Sequence, residues 1–258
     1  MATTTHSRAI WDGRRTALVV AHPGHELLLS GWMEAARPIV FVLTAGDDSH
    51  NGPAIATTAR IVEACGARAG GIFGRFTDDG FQQALLLREK DRFHALTQEL
   101  TDAFLQDSID VVVADSAEGF DPAHDLCRIL VDAACTLATR LRPHLRNFEF
   151  PLIGGRLSRA TSLRHRLDAD AWSRKRDRLK AYEQPIDEVE RRIAREGIDA
   201  LQEESLRLAT PWSLRERRDV LYSQSRDGVI PAVHFAEHVL PLAGSVLRFV
   251  GSPLGRAA

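Results

Sequence analysis

Two short segments hold the residue types that metal chemistry needs. Ala21-His22-Pro23-Gly24-His25-Glu26 directly follows the apolar run 16–20, and Asp121-Pro122-Ala123-His124-Asp125 follows the apolar run 109–114 after a short loop. Zinc accepts neutral imidazole nitrogens readily, and three of them with a vacant fourth position make a catalytic arrangement, not a closed structural one. If the two segments meet, His22, His25 and His124 form such a set, which points to metal-dependent hydrolysis of a small molecule. A lone histidine is usually an ordinary surface or core residue. An HxxH spacing immediately after a strand, matched by a histidine after a later strand, is a stronger signal. Two carboxylates, Glu26 and Asp121, are the candidate catalytic groups. Glu26 either supports the site or starts a helix, where a first-turn carboxylate suits the helix dipole. Asp121 either accepts a proton or fixes the turn before Pro122. Asp48, His50 and Glu118 are candidate substrate contacts, although Asp47, Asp48 and His50 fit a plain polar loop better than a substrate mouth.

The elements that must position these residues read as βαβ punctuation. Short apolar runs at 16–20, 39–44, 71–74 and 109–114 are each followed by a turn and a segment of helical character, at 27–36, 54–65, 87–105 and 126–141. Continuous apolar strands, as opposed to alternating ones, indicate a parallel sheet covered on both faces. The expected fold class is therefore α/β: a Rossmann-like three-layer fold with a mainly parallel sheet and a helical C-terminal elaboration. We expect one domain over 1–258, with a core at 16–150 and the elaboration at 151–258. The elaboration should hold strands near 148–153 and 160–165, charged helical stretches at 169–182 and 186–209, and an apolar segment at 232–249. In a sheet ordered 3-2-1-4, the first and fourth strands are neighbours where the winding reverses, and ligands settle beyond their carboxyl ends. His22, His25 and His124 all lie just past those ends. A nucleotide would use the same crevice, but the first turn holds only Gly24 and lacks the glycine-rich loop a pyrophosphate requires.

Composition narrows the partners. A net charge of -2 over 258 residues, 44% of them hydrophobic, gives an ordinary globular chain without the basic surface that nucleic acid requires. The same balance argues against an acidic membrane. Residues 1–15 carry charges where a secretory signal needs an apolar stretch, and no segment approaches a membrane span, so we expect a cytoplasmic protein acting on a small-molecule substrate. Homo-oligomerisation is left open. Cys65, Cys127 and Cys135, an odd number without CxxC spacing, fit reduced packing residues. His234 and His238 share a helical spacing but lack a third ligand, and they stay outside the metal set. Trp172, Tyr182 and the charged stretch 174–195 fit packing and a solvated face better than substrate contacts.

On these motifs the chain resembles the zinc-dependent N-acetylglucosaminyl deacetylase superfamily, the PIG-L or LmbE-like proteins, over about residues 16–184. The family's first motif reads Ala-His-Pro-Asp-Asp-Glu and its later one His-Pro-Asp-His; the segment 175–184, KRDRLKAYEQ, is similar to the family's Lys-rich segment that ends in a tyrosine and a glutamine. The resemblance implies that His22 and His124 are ligands, that His25 stands at the aspartate ligand's place, and that Glu26 supports the site. It implies a Zn2+ cofactor, or another divalent metal, and a deacetylase or amidohydrolase acting on linear amide bonds. The departures place the chain in a divergent branch: Gly24 replaces the general-base aspartate, and Asp121 with Ala123 replaces the histidine and aspartate that assist the leaving group. With His25 in place of a carboxylate the ion keeps its full charge, which should acidify bound water toward a pKa of roughly 7. Part of the missing base's role would then fall to the metal. Two other readings stay open: a family member that lost hydrolysis and acts as a metabolite-binding or interaction protein, and a three-histidine centre with non-hydrolytic iron or nickel chemistry.

Overall fold

The structure, a computed structural model, describes residues 11–46, 54–118, 121–153, 162–182, 186–209 and 239–251. Strand β1 (Thr16–Val20) leads through a 3-10 turn (His25–Leu29) into α1 (Ser30–Ala36), and β2 (Ile39–Thr44) is followed by α2 (Ala54–Ala64). Next come β3 (Arg68–Phe76), α3 (Asp78–Leu86), α4 (Lys90–Gln106), β4 (Val111–Asp115) and α5 (Pro122–Ala138). The remainder comprises β5 (Arg146–Phe150), β6 (Ser162–Arg166), α6 (Ala169–Ala181), α7 (Asp187–Glu196), a 3-10 turn (Ile198–Gln202), β7 (Glu203–Leu208) and α8 (Leu240–Gly251).

The seven strands form one sheet in the order β3-β2-β1-β4-β5-β7-β6. The first five are mutually parallel, while β7 runs antiparallel to both β5 and β6. The fold is therefore α/β, and β1 and β4 are neighbours as the sequence predicts, with Leu18 opposite Val113. Every residue of β1, β2 and β4 is buried, as expected for strands covered on both faces. The strand period of two divides them between two cores. Ala17 and Val19 meet Phe93, Leu100 and Phe104 of α4, Leu130 of α5 and Leu242 of α8. Leu18 and Val20 face Trp32 and Met33 of α1, Ile61 of α2 and Trp172 of α6.

Local chemistry sets the helix starts. Asp121 caps α5 by accepting the Ala123 N–H at 2.6 Å, with Pro122 at the first helical position. Asp168 caps α6 through the Ala171 N–H, and Thr77 caps α3 through the Gly80 N–H.

Three expectations are corrected. The stretch 186–209 is not one helix: Gly197, at φ +80, ends α7, and Glu203–Leu208 is a strand whose alternate residues Glu204 and Leu206 are buried. The elaboration thus adds two strands to the sheet as well as helices. The predicted helix at 87–105 begins at Lys90, because Arg88 adopts φ +55 in the turn that separates α4 from the unforeseen α3. Strand β3 extends well beyond 71–74, since its exposed ends Arg68 and Arg75 concealed it as an apolar run. The three cysteines are free and buried, as packing residues should be, and burial pushes the Cys65 thiol up to about 12. Among the described residues no helix is long and apolar enough to cross a membrane.

Candidate metal centre

The β1 and β4 ends carry the site. Asp115, the last residue of β4, is fully buried, and its Oδ2 accepts both the Ala21 N–H at 2.8 Å and a bond from Nδ1 of His25 at 2.9 Å. One carboxylate therefore fixes the exit of β1 and the ring plane of His25. Nδ1 of His22 is held in the same way, by Asp78 at 2.9 Å and Thr44 Oγ1 at 3.0 Å. With Nδ1 protonated toward a carboxylate, each ring turns the lone pair of Nε2 the other way, the arrangement by which outer carboxylates orient metal-binding histidines. His124 lies in the first turn of α5, buried.

The three imidazole rings approach one another, but His22, His25 and His124 do not by themselves make a set of ligating atoms all within 4.8 Å. Ring centroids are 4.7 Å apart for His25 and His124, 5.0 Å for His22 and His124, and 5.5 Å for His22 and His25. Two donor sets have ligating atoms all within 4.8 Å of one another: His25, His124 and Glu188, and His22, Asp121 and His124. Glu188 comes from the first turn of α7, with Oε2 3.5 Å from His25 Nε2 and Oε1 3.9 Å from His124 Nε2. Nε2 of His25 is buried and has no hydrogen-bond partner.

The electrostatics follow from these contacts. Burial disfavours the charged form of His25, but Asp115 and then Glu188 outweigh it and hold the ring well above the usual histidine range. Burial likewise opposes charge on His22, and Asp78 more than compensates. For His124 burial dominates and lowers its pKa. Burial works against the Glu188 carboxylate too, yet the neighbouring imidazoles, His25 first, keep it well below the ordinary range.

The other predicted residues are placed as follows. Glu26 is fully buried beneath the loop: its Oε2 accepts the Gly24 N–H at 2.7 Å, and its Oε1 accepts from Thr58 at 3.0 Å and from the Tyr182 hydroxyl at 2.9 Å. These bonds brace the His-Pro-Gly-His turn from behind. Removing one should be felt: Tyr182→Phe is expected to lower stability by about 1–3 kcal/mol, because a buried carboxylate loses a donor. Urea unfolding checks this, and an unchanged midpoint contradicts the bracing role. Glu118 accepts from Ser116 Oγ and from the Leu152 and Ile153 N–H groups, which ties the end of β4 to the chain after β5. Asp48, His50, His234 and His238 lie outside the described residues.

Sequence reasoning missed Asp78, Asp115 and Glu188. Asp115 had a signal, a carboxylate ending a fully apolar strand beside the expected site. Asp78 had a weaker one, the Thr-Asp-Asp start of a helix after β3. Glu188 had none, sitting in a charged stretch like any other.

Comparison with solved structures places this fold among known ones. The A40926 pseudoaglycone deacetylase Dbv21 superposes with a TM-score of 0.55 at 15% identity, covering 78% of this chain and 98% of that one. The conserved protein TT1542 from Thermus thermophilus gives 0.52 at 21% identity, with 78% and 96% covered. A deacetylase from the biosynthesis pathway of teicoplanin gives 0.50 at 14%, with 75% and 96% covered. The chain thus shares the α/β fold of these proteins, two of them deacetylases. No family model matches the sequence, and no curated protein matches it.

Proposed function

We propose that the protein is a metal-dependent hydrolase that removes an N-acyl group, most simply acetyl, from an amino sugar or a similarly small polar metabolite. The observation that carries this reading is the convergence of His22, His25 and His124 from two distant segments, with a buried, unpartnered Nε2 on His25 facing the cluster. With Asp115 on its Nδ1, His25 can give its Nε2 lone pair to an ion in place of the proton that Glu188 otherwise favours there, and a divalent ion, zinc first, suits these donors. The fold shared with deacetylases supports the reaction class. His22, His25 and His124 hold the ion. When bound, it supplies Lewis acidity to the substrate carbonyl and lowers the pKa of water.

The chain's own residues supply the rest. Asp115 and Asp78 fix the rings of His25 and His22. Glu26, held by Thr58 and Tyr182, keeps the Gly24 turn in place. Asp121 borders His22 and His124 and takes up the proton of the attacking water, the task Gly24 has no side chain to perform. Elemental analysis is expected to find about one divalent ion per chain. Acetate release from N-acetylated amino sugars should stop on chelation and return with zinc. Protein that takes up no metal, or holds it and releases no acid from such compounds, overturns the proposal.

A further inference from the structure

The arrival of Glu188 at the imidazole cluster has a packing cause. Gly24 sits at φ +100, and a Cβ placed there would lie 2.7 Å from Cδ1 and 2.9 Å from Cγ1 of Ile186. Real Cβ atoms do not approach so closely, so a side chain at position 24 would displace the Ile186 side chain from the place it occupies against the bare glycine. Ile186 is the N-cap residue of α7. The bare position 24 is what lets the start of this helix seat against the His-Pro-Gly-His turn, and Glu188 is two residues further on.

The distances then discriminate between roles. A charge-assisted hydrogen bond between carboxylate and imidazole spans about 2.7–2.9 Å. Two donors on one tetrahedral ion, with bonds of about 2.0–2.1 Å, stand roughly 3.3–3.4 Å apart. Glu188 Oε2 lies 3.5 Å from His25 Nε2, and that nitrogen is the buried one without a partner. The spacing is that of co-ligands.

Resting on the metal-dependent reading above, we propose that Glu188 is itself a ligand of the ion with His25 and His124, taking the place given to His22 in the three-imidazole set, so that the fourth position stays open. Helix α7 thereby brings an anionic donor to a centre whose β1 turn supplies only imidazoles. Two imidazoles and one carboxylate are a donor set that catalytic zinc sites use, and the restored negative charge moderates the acidity that three imidazoles alone would confer.

Cobalt(II) titration and competition with a chelator test this on the whole chain and on Glu188→Gln, which keeps the shape and removes the charge. The parent is expected to bind one cobalt with a tetrahedral visible spectrum. Glu188→Gln should bind at least about 100-fold more weakly, beyond the 10–100-fold expected when only an outer-sphere partner is lost, and with an altered spectrum. The metal-free Glu188→Gln protein should still unfold in one cooperative step, at a somewhat lower temperature than the parent because it loses the ion pair with His25. Equal affinity and an unchanged spectrum overturn the assignment while leaving the hydrolase reading intact. The assignment also falls if Glu188→Gln binds cobalt normally but loses turnover, since Glu188 then handles protons. If the parent binds no metal, both readings fall together.

Discussion

Lys175→Met is expected to cost about 3–5 kcal/mol of stability, the range for breaking a buried ion pair by removing one partner. Lys175 is fully buried, and its Nζ donates to the Leu28 carbonyl at 2.8 Å and to Glu204 Oε1 at 2.7 Å. Glu204 also accepts the Gly31 N–H at 2.9 Å and the Trp32 N–H at 2.6 Å, so it caps the start of α1 from across the sheet. Burial lowers the Lys175 pKa and Glu204 opposes that fall, so the ammonium depends on the carboxylate. Without the ammonium, a carboxylate remains in the core with two amides but without its hydrogen-bonded counter-charge. Urea unfolding should show a lower midpoint at constant slope. Adding Glu204→Gln should cost less than the sum of the two single changes, because the charge left stranded is then gone. A loss below about 1 kcal/mol for Lys175→Met contradicts this account.

Gly24→Asp, which restores the aspartate of the resembled motif, is expected to harm the protein. An Asp at φ +100 carries backbone strain of about 1–3 kcal/mol. Its Cβ also overlaps Ile186, and overpacking of this kind costs about 1–3 kcal/mol more. Relief requires the Ile186 side chain to turn away or the start of α7 to shift, and a shift of α7 carries Glu188 away from His25. Thermal melting should therefore fall, and metal affinity should fall with it. Adding Ile186→Ala should recover part of the melting temperature by vacating the overlapping space, while the backbone strain remains. A Gly24→Asp protein that is as stable as the parent and more active overturns the steric argument. The bare face of Gly24 is thus the packing surface for the Ile186 side chain.

Much of the fold was legible for a physical reason. Parallel strands buried on both faces are unbroken apolar runs, and β1, β2 and β4 announce themselves in this way. Their adjacency placed the two histidine segments at one crevice, and the ring separations match that expectation. Strand β7 was not legible, because an edge-region antiparallel strand alternates polar with apolar residues. Glu203-Glu204-Ser205-Leu206-Arg207-Leu208 therefore reads like the charged helix before it. Glu188 was hidden differently. Nothing in its own neighbourhood marks it, since its position depends on an absent side chain more than 160 residues earlier in the chain.

The strand order also has a consequence for synthesis. Strand β6 emerges before β7, yet β7 lies between it and the rest of the sheet, with Leu163 opposite Leu206 and Phe148 opposite Leu208. A nascent polypeptide that has reached only Gln202 leaves β6 without a place to dock. It also lacks the carboxylate that anchors α1 and neutralises Lys175. Among the described strands the ribosome therefore releases this part of the sheet in an order opposite to that in which it can lock together, and β7, the later of the two, is the keystone for both.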